Sequence, residues 1–463
     1  MAATINKNNF ITLFCNFAFY DFLVIYDRNY TLVFNLLILT YLFMSLRFYK
    51  ACALLAVLVS AFNGKIEAQC ILSNGQLIQP DGSPCSNTII TAVPFLRIIP
   101  DARFGAMGDV GIAVDPDPNS MHFNSSNLSF GAKDFSVSAT YTPWLRALGL
   151  NDVFLAYLSA YKHIDDRQTL GGSLRYFSLG QIQYTDDQGN PLQVVRPREL
   201  ELAFAYSRKM SENFSTSLAL KYIFSSLGTG AVNGDVLTPA NAFAADVSFT
   251  YRLPLVIAEK KANLNFGLVF SNLGSKISYT RSANKDYIPA NLGFGTAFEY
   301  NFDNYNSLTF AIDVNKLLVP TPIPRSMDDG QGNLIPNPEY DADGNGIPDY
   351  KEKSVPASIF SSFGDAAGGF GEEMRELMYS IGMEYWYNKQ FAVRFGHYNE
   401  HRTKGNRKFF TVGLGIRYNI FNINFSYLIP AIAAQRNPLD NTLRFSLIFD
   451  FGEAKKFNTK KRG

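Results

Sequence analysis

"NTLRFSLIFDF", residues 441–451, places Leu443, Phe445, Leu447, Phe449 and Phe451 at every second position, with Arg444, Ser446 and Asp450 between them. Period-two alternation is the signature of a β-strand with one apolar and one polar face. The same pattern recurs in "ELELAFAYS" (199–207), "NLNFGLVF" (263–270), "NLGFGTAFEYNF" (291–302) and "LMYSIGMEYWY" (377–387). About fourteen such segments fall near 134–145, 150–163, 168–184, 197–210, 213–224, 242–253, 261–273, 289–302, 306–317, 375–388, 390–400, 408–419, 421–429 and 441–451. Most reach the roughly 9–11 residues that a tilted strand needs to cross a bilayer, and the even count suits a bacterial barrel.

The connections divide by length. "HIDD", "MSEN", "DNYN", "NKQ" and "NIFN" are tight and polar, whereas 225–241, 274–288 and 318–374 are long. Membrane barrels segregate short turns to the periplasmic mouth and long loops to the outside, which puts both chain ends in the periplasm. "RLPLVIAEKK" (252–261) is long for a turn and departs from the pattern. A soluble β-sandwich has no reason to sort its loops this way. The expected fold is therefore all-β, a transmembrane antiparallel β-barrel of about 14 strands over residues 132–452, with a long outside loop at 318–374.

Composition agrees. Charged residues make up 18% of the chain, below the roughly 25% of soluble domains, and aromatics 14%. Forty-two basic residues against 40 acidic ones argue for no nucleic-acid partner. Beyond the leader, no run of 18 apolar residues suggests a membrane helix.

The leader has two parts. Arg47 and Lys50 precede the apolar run "ACALLAVLVSAF" (51–62), and "KIEAQC" offers cleavage after Ala68, with Ile66 at the −3 position. Residues 44–68 read as a signal peptide. Residues 1–43 then read as an upstream extension from a start assigned too early; the alternative is an anchor helix over "TLVFNLLILTYLFM" (31–44). Cys70 and Cys85 form a disulfide or remain two free thiols, and an exported chain favours the bridge. Residues 453–463 read as a basic periplasmic tail.

"ARFGAMGDVGIA" (102–113) has a glycine every third residue. A dinucleotide loop needs another spacing and a following helix. A backbone packed closely against the barrel wall fits better, so residues 69–131 read as an N-terminal segment folded into the lumen.

"DADGNGIPDYKE" (341–352) carries Asp341, Asp343, Asn345, Gly346, Ile347, Asp349 and Glu352 at positions 1, 3, 5, 6, 7, 9 and 12 of a calcium loop. Alternate side-chain oxygens and the Ile347 carbonyl would wrap a hard cation, Gly346 would permit the turn, and Glu352 would give two oxygens. The competing reading is an acidic turn with coincidental spacing. Pro348 and the lack of flanking helices favour a structural clip for Ca2+ over a sensor.

The four histidines, His122, His163, His397 and His401, do not assemble an enzyme. His397 and His401 with Glu400 would need a helix to converge on a metal, and no G-x-S-x-G elbow occurs. No catalytic residue is assigned.

"VPFLRIIPDARFGAMGDVGIAVDPDPNSMHFNSSNLSF" (93–130) resembles the N-terminal hatch of FadL-like barrels and, more closely, the PorV-like outer-membrane proteins of the type IX secretion system. The residues that carry the likeness are Pro100–Arg103, Gly105, Met107–Gly111, Ala113, Asp117, Asn119, Ser120 and Asn124; Ser125–Ser126 depart from the broader family's pattern. "SIFSSFGDAAGGFGEEMREL" with "YSIGMEYWY" (358–387) is the second matching block. The resemblance implies an outer-membrane shuttle that takes secreted cargo by its C-terminal domain from the translocon barrel to a surface attachment complex that includes a sortase-like protein. The FadL-like fold alternatively implies a transporter of hydrophobic small molecules. Outer-membrane lipid is the expected surrounding in either case.

Overall fold

Burial alternates residue by residue where the sequence alternates. In the computed structural model, residues 378–387 are buried and exposed in strict turn, with Ser380, Gly382 and Glu384 inward and Tyr379, Ile381 and Met383 outward. The structure describes residues 71–73, 76–78 and 88–454, except 147–148, 186–189, 229, 233–234, 281–284, 324–325, 329–333, 367–368 and 432–441. The upstream extension, signal peptide, Cys70–Cys85 pair and residues 455–463 of the tail lie outside the described residues.

The strands are β1 (Lys133–Pro143), β2 (Val153–His163), β3 (Gln168–Leu179), β4 (Arg198–Lys209), β5 (Phe214–Ser226), β6 (Ala240–Ile257) and β7 (Lys260–Gly274). They continue as β8 (Asn291–Asn301), β9 (Asn306–Leu317), β10 (Met378–Tyr387), β11 (Phe391–Asn399), β12 (Lys408–Tyr418), β13 (Phe421–Pro430) and β14 (Leu443–Glu453). Each pairs antiparallel with the next, and β14 closes on β1 through Phe445↔Tyr141 to Glu453↔Lys133. Each of the fourteen segments read in the sequence overlaps one strand of this ring. Closure leaves no unpaired edge, the condition for a sheet in hydrocarbon. The outer wall carries Leu202, Phe204, Leu218, Leu220, Phe294, Val393, Phe395 and Leu414, all exposed. An apolar surface that continuous belongs against lipid. No described helix is long and apolar enough to cross a membrane.

Two boundaries differ from the sequence reading. Residues 252–261 are not a loop: β6 runs to Ile257 and turns into β7 through Ala258 and Glu259 alone, both at positive φ (49° and 63°), the geometry of a two-residue hairpin. Pro254 obscured this. It lies beyond the last pairing of β6 with β5, Tyr251↔Phe214, so β6 there has a neighbour on one side only, where a missing N–H is tolerated. Conversely, the segment read as 168–184 leaves the barrel after Leu179; residues 182–185 pair with 191–195 in a separate hairpin. With 258–259 corrected, the connections at 164–167, 210–213, 258–259, 302–305, 388–390 and 419–420 are all short and share one mouth.

Residues 88–131 thread the lumen from one mouth to the other. At the long-loop mouth Ile89 packs with Leu317, Met378, Tyr398, Phe409 and Leu428, and Val93, Phe95 and Leu96 pack with Val153, Phe177 and Ala240. At the short-turn mouth the Gly131 carbonyl meets His163 Nε2 at 3.1 Å, just before β1. The two ends of the barrel do lie together, Lys133 Nζ pairing with Glu453 at 2.5 Å. The inner segment, by contrast, begins at the opposite, long-loop mouth, where Ile89 packs.

Candidate functional site

The small residues of 102–113 place the backbone of the inner segment directly on the wall. Asp101 caps the short helix Ala102–Gly105, its Oδ2 accepting from Phe104 N–H at 3.0 Å. Gly108, at φ 70°, follows; its N–H donates to Thr411 Oγ1 on β12 at 2.8 Å. The wall answers with glycines of its own: Gly382 on β10 and Gly396 on β11 face Met107 and Gly108 with no room for a side chain. One Asp313 oxygen on β9 accepts both Gly111 N–H (2.8 Å) and Ile112 N–H (3.0 Å). Farther down, Asn124 Nδ2 donates to Thr250 Oγ1 at 2.9 Å, and Ser215 Oγ donates to the Ser126 carbonyl at 2.8 Å.

Two buried charge clusters clamp this thread. In the first, Arg103 of the inner segment forks onto Glu384 of β10 (Nε–Oε2 3.0 Å, Nη2–Oε1 2.8 Å) and reaches Asp117 at 3.2 Å. Glu384 also holds Arg394 of β11 at 2.6 Å. Bidentate guanidinium–carboxylate geometry fixes orientation as well as charge. In the second, Arg175 Nη1 on β3 donates to the carbonyls of Phe95 (3.1 Å) and Leu96 (2.9 Å). Arg175 pairs with Glu201 of β4 at 3.2 Å, and Lys221 of β5 bridges Glu201 (3.6 Å) and Asp246 of β6 (2.6 Å). The sequence reading missed these clusters. Their only local signal is a charged residue on the inward beat of a strand, such as Glu384 in "YSIGMEYWY" or Glu201 in "ELELAFAYS".

Between the thread and the wall remains a cavity of about 110 Å3, lined by Arg97, Asp109, Lys221, Asn272, Tyr398 and Arg407 among others. Leu96, Ile99, Ile112, Phe123, Val269 and Met378 share the lining, and its cations are engaged: Arg407 with Glu400 at 2.8 Å, Lys221 with Asp246 at 2.6 Å and Arg97 with Glu400 at 3.7 Å.

The calcium-spaced residues lie on the exposed 318–377 connection. Asp341, Asp343 and Asp349 each bring an oxygen within 4.8 Å of the others. Asp341 accepts from Asn345 N–H (3.0 Å) and Gly346 N–H (2.9 Å), and Gly346 sits at φ 83°. Ile347 N–H is tied to Asn345 Oδ1 at 2.7 Å, and Glu352 meets the turn through Asn345 Nδ2 at 2.9 Å. The turn is anchored to the 275–290 connection by Lys351–Asp286 (2.6 Å) and by Tyr287 Oη donating to the Lys353 carbonyl (2.6 Å). The histidines stay apart: His122 contacts Arg175, His163 contacts Thr169, and His397 on β11 meets the Phe409 carbonyl.

A family model described as "Type IX secretion system protein PorV" matches residues 83–324, just over half of the chain, from before the inner segment through β9. The chain belongs to the PorV family. This PorV-family barrel is also similar to solved structures. The toluene transporter TbuX of Ralstonia pickettii is 11% identical over 76% of this chain and 98% of that one, with a TM-score of 0.42. The toluene transporter TodX of Pseudomonas putida gives 11%, 76%, 98% and 0.42, and a FadL homologue of Pseudomonas aeruginosa gives 11%, 79%, 100% and 0.37. Likeness this distant carries no inference about ligand or cargo. No curated protein matches the PorV-family chain.

Proposed function

We propose that this chain is an outer-membrane shuttle of type IX secretion, which receives cargo by its C-terminal domain from the translocon barrel and delivers it to a surface attachment complex with a sortase-like member. Family membership supplies the secretion system. The observation that favours a carrier over a channel is the thread, pinned at every level of the lumen by Arg175, Asp313, Glu384 and Thr411. Cargo would therefore be met by the long connections at one mouth and not by the interior. The FadL-like alternative, uptake of hydrophobic small molecules, would require a path past this pinned thread. Full-length protein in detergent is expected to retain an immobilised cargo C-terminal domain, and vesicles containing it are expected to take up no toluene or long-chain fatty acid. Uptake without cargo retention would reverse the choice.

The same reading assigns the turn at 341–352 a structural Ca2+. Asp341, Asp343, Asn345, Asp349 and Glu352 would supply side-chain oxygens, and Ile347 its carbonyl. The donor set is all oxygen, as a hard cation requires. Calorimetric titration of Ca2+ into the detergent-solubilised protein is expected to show one site, lost in the Asp341→Ala, Glu352→Ala double variant. Equal heats from the two proteins would remove the assignment.

A further inference from the structure

The ammonium of Lys221 meets a carboxamide as well as two carboxylates. Its Nζ donates to Asn272 Oδ1 at 2.9 Å, and lies 2.6 Å from Asp246 Oδ2 and 3.6 Å from Glu201 Oε1. Lys221, Asp246 and Asn272 come from the successive strands β5, β6 and β7, and all three are buried. On β6 the residue paired with Lys221 is Ala244, small enough to let the lysine reach past it to β7.

β7 is deformed where it completes this group. Its pairing with β6 slips between Ala245↔Leu273 and Val247↔Phe270, so Ser271 and Asn272 together oppose Asp246. That two-against-one count is a β-bulge, which re-aims a side chain. Asn272 takes φ 56° there, a left-handed backbone that asparagine tolerates better than most side chains. The residue is then fixed from two directions. Asn272 Nδ2 donates to the Pro289 carbonyl at 3.1 Å, and its backbone N–H donates to Asp246 Oδ1 at 2.7 Å. Asp246 therefore holds the amine with one oxygen and the residue bearing the carboxamide with the other.

An amine, a carbonyl carbon and a shared carboxylate are a nucleophile, an electrophile and a proton relay within hydrogen-bond reach. We infer that Lys221 and Asn272 join through an isopeptide bond. Asp246 Oδ2 takes a proton from Nζ, and the freed lone pair attacks Asn272 Cγ. The Nζ–Cγ bond forms and the Cγ–Nδ2 bond breaks. Asp246 relays two protons in turn from Nζ to Nδ2, which leaves as ammonium. The carboxylate ends as it began, and no oxidant, reductant or co-reactant is consumed. Holding the reacting groups in contact supplies the effective concentration that free amine and amide lack. Lys221, Asn272 and Pro289 line the cavity of about 110 Å3, which receives the departing nitrogen. The product is a covalent staple from β5 across β6 to β7 on the lumen wall, toward the long-loop mouth. The inference is independent of the shuttle reading.

The test is mass spectrometry of the full chain, purified in detergent, held folded overnight, then unfolded and digested with trypsin. The peptides containing Lys221 and Asn272 are expected as one joined species, lighter than their sum by one ammonia, with fragmentation placing the link between these two residues. Lys221→Arg is expected to give no joined species. Asp246→Ala is expected to lower its yield about a hundredfold, the scale of a lost proton relay, with heat-modifiable gel mobility unchanged. Recovery of both wild-type peptides unlinked would overturn the bond and leave a buried ion pair, an outcome that needs no variant to fold. Undiminished joining in Asp246→Ala would overturn the relay.

Discussion

Glu384→Leu is expected to release the inner segment from the barrel wall. The carboxylate makes two hydrogen bonds to Arg103 and one to Arg394, and all three side chains are buried. Its removal leaves two guanidinium groups facing each other in a closed interior, a situation that costs about 3–5 kcal/mol when a buried pair loses one partner. Because that cost is local to the thread, it should appear as local opening before global unfolding. Amide hydrogen exchange over residues 101–112 is expected to rise about a hundredfold or more, and planar bilayers containing the variant are expected to show conductance steps absent from the wild type. Unchanged exchange and a silent bilayer would mean that the cluster does not hold the thread.

The second large effect is steric. An alanine at 396 would place Cβ 1.9 Å from Gly108 N and 2.0 Å from Met107 C. Both are backbone atoms, so no side chain can swing aside. Overpacking usually costs about 1–3 kcal/mol, and a clash between two main chains belongs at or beyond the upper end. Gly396→Ala is therefore expected to displace residues 106–109 while the fourteen-stranded ring, held by its own ladder, keeps its heat-modifiable mobility. Limited proteolysis should then cut within 102–113, where the wild type resists. Gly172→Ala is the control: its nearest neighbour, the Ala203 carbonyl oxygen, would lie 3.8 Å away, and no change is expected. Resistance of both variants to protease would show that the wall yields at β11.

The wall of the barrel was legible because its rule is local. A strand exposed to lipid on one side repeats every two residues, and each stretch from Lys133 to Glu453 announces itself without reference to its neighbours. The rule fails where local chemistry is ambiguous. Pro254 mimics a loop although it stands in an overhanging strand end, and 180–184 keeps alternating after the chain has left the sheet at Gly180. At 341–352 the spacing nominates six ligand positions, of which the structure brings Asp341, Asp343 and Asp349 together. The clamps were not readable. Arg103 and Glu384 are 281 residues apart, and nothing in either neighbourhood names the other. The glycines of 102–113 gave the one hint, because a close-packed main chain needs small residues on its own side, while Gly382 and Gly396 on the opposing strands pass as ordinary small members of a strand.

The lengthwise course of residues 88–131 bears on how the molecule is made. A ring already shut would have to be laced from end to end, whereas a curled sheet can simply wrap around a cord lying in its trough. At the closing edges, Ser446 of β14 bonds Thr140 of β1 at 2.8 Å and also accepts from Ala102 N–H at 2.8 Å. The same hydroxyl thus fastens the seam and grips the cord. Cord and seam are therefore tied through one side chain, so loosening either is expected to loosen the other.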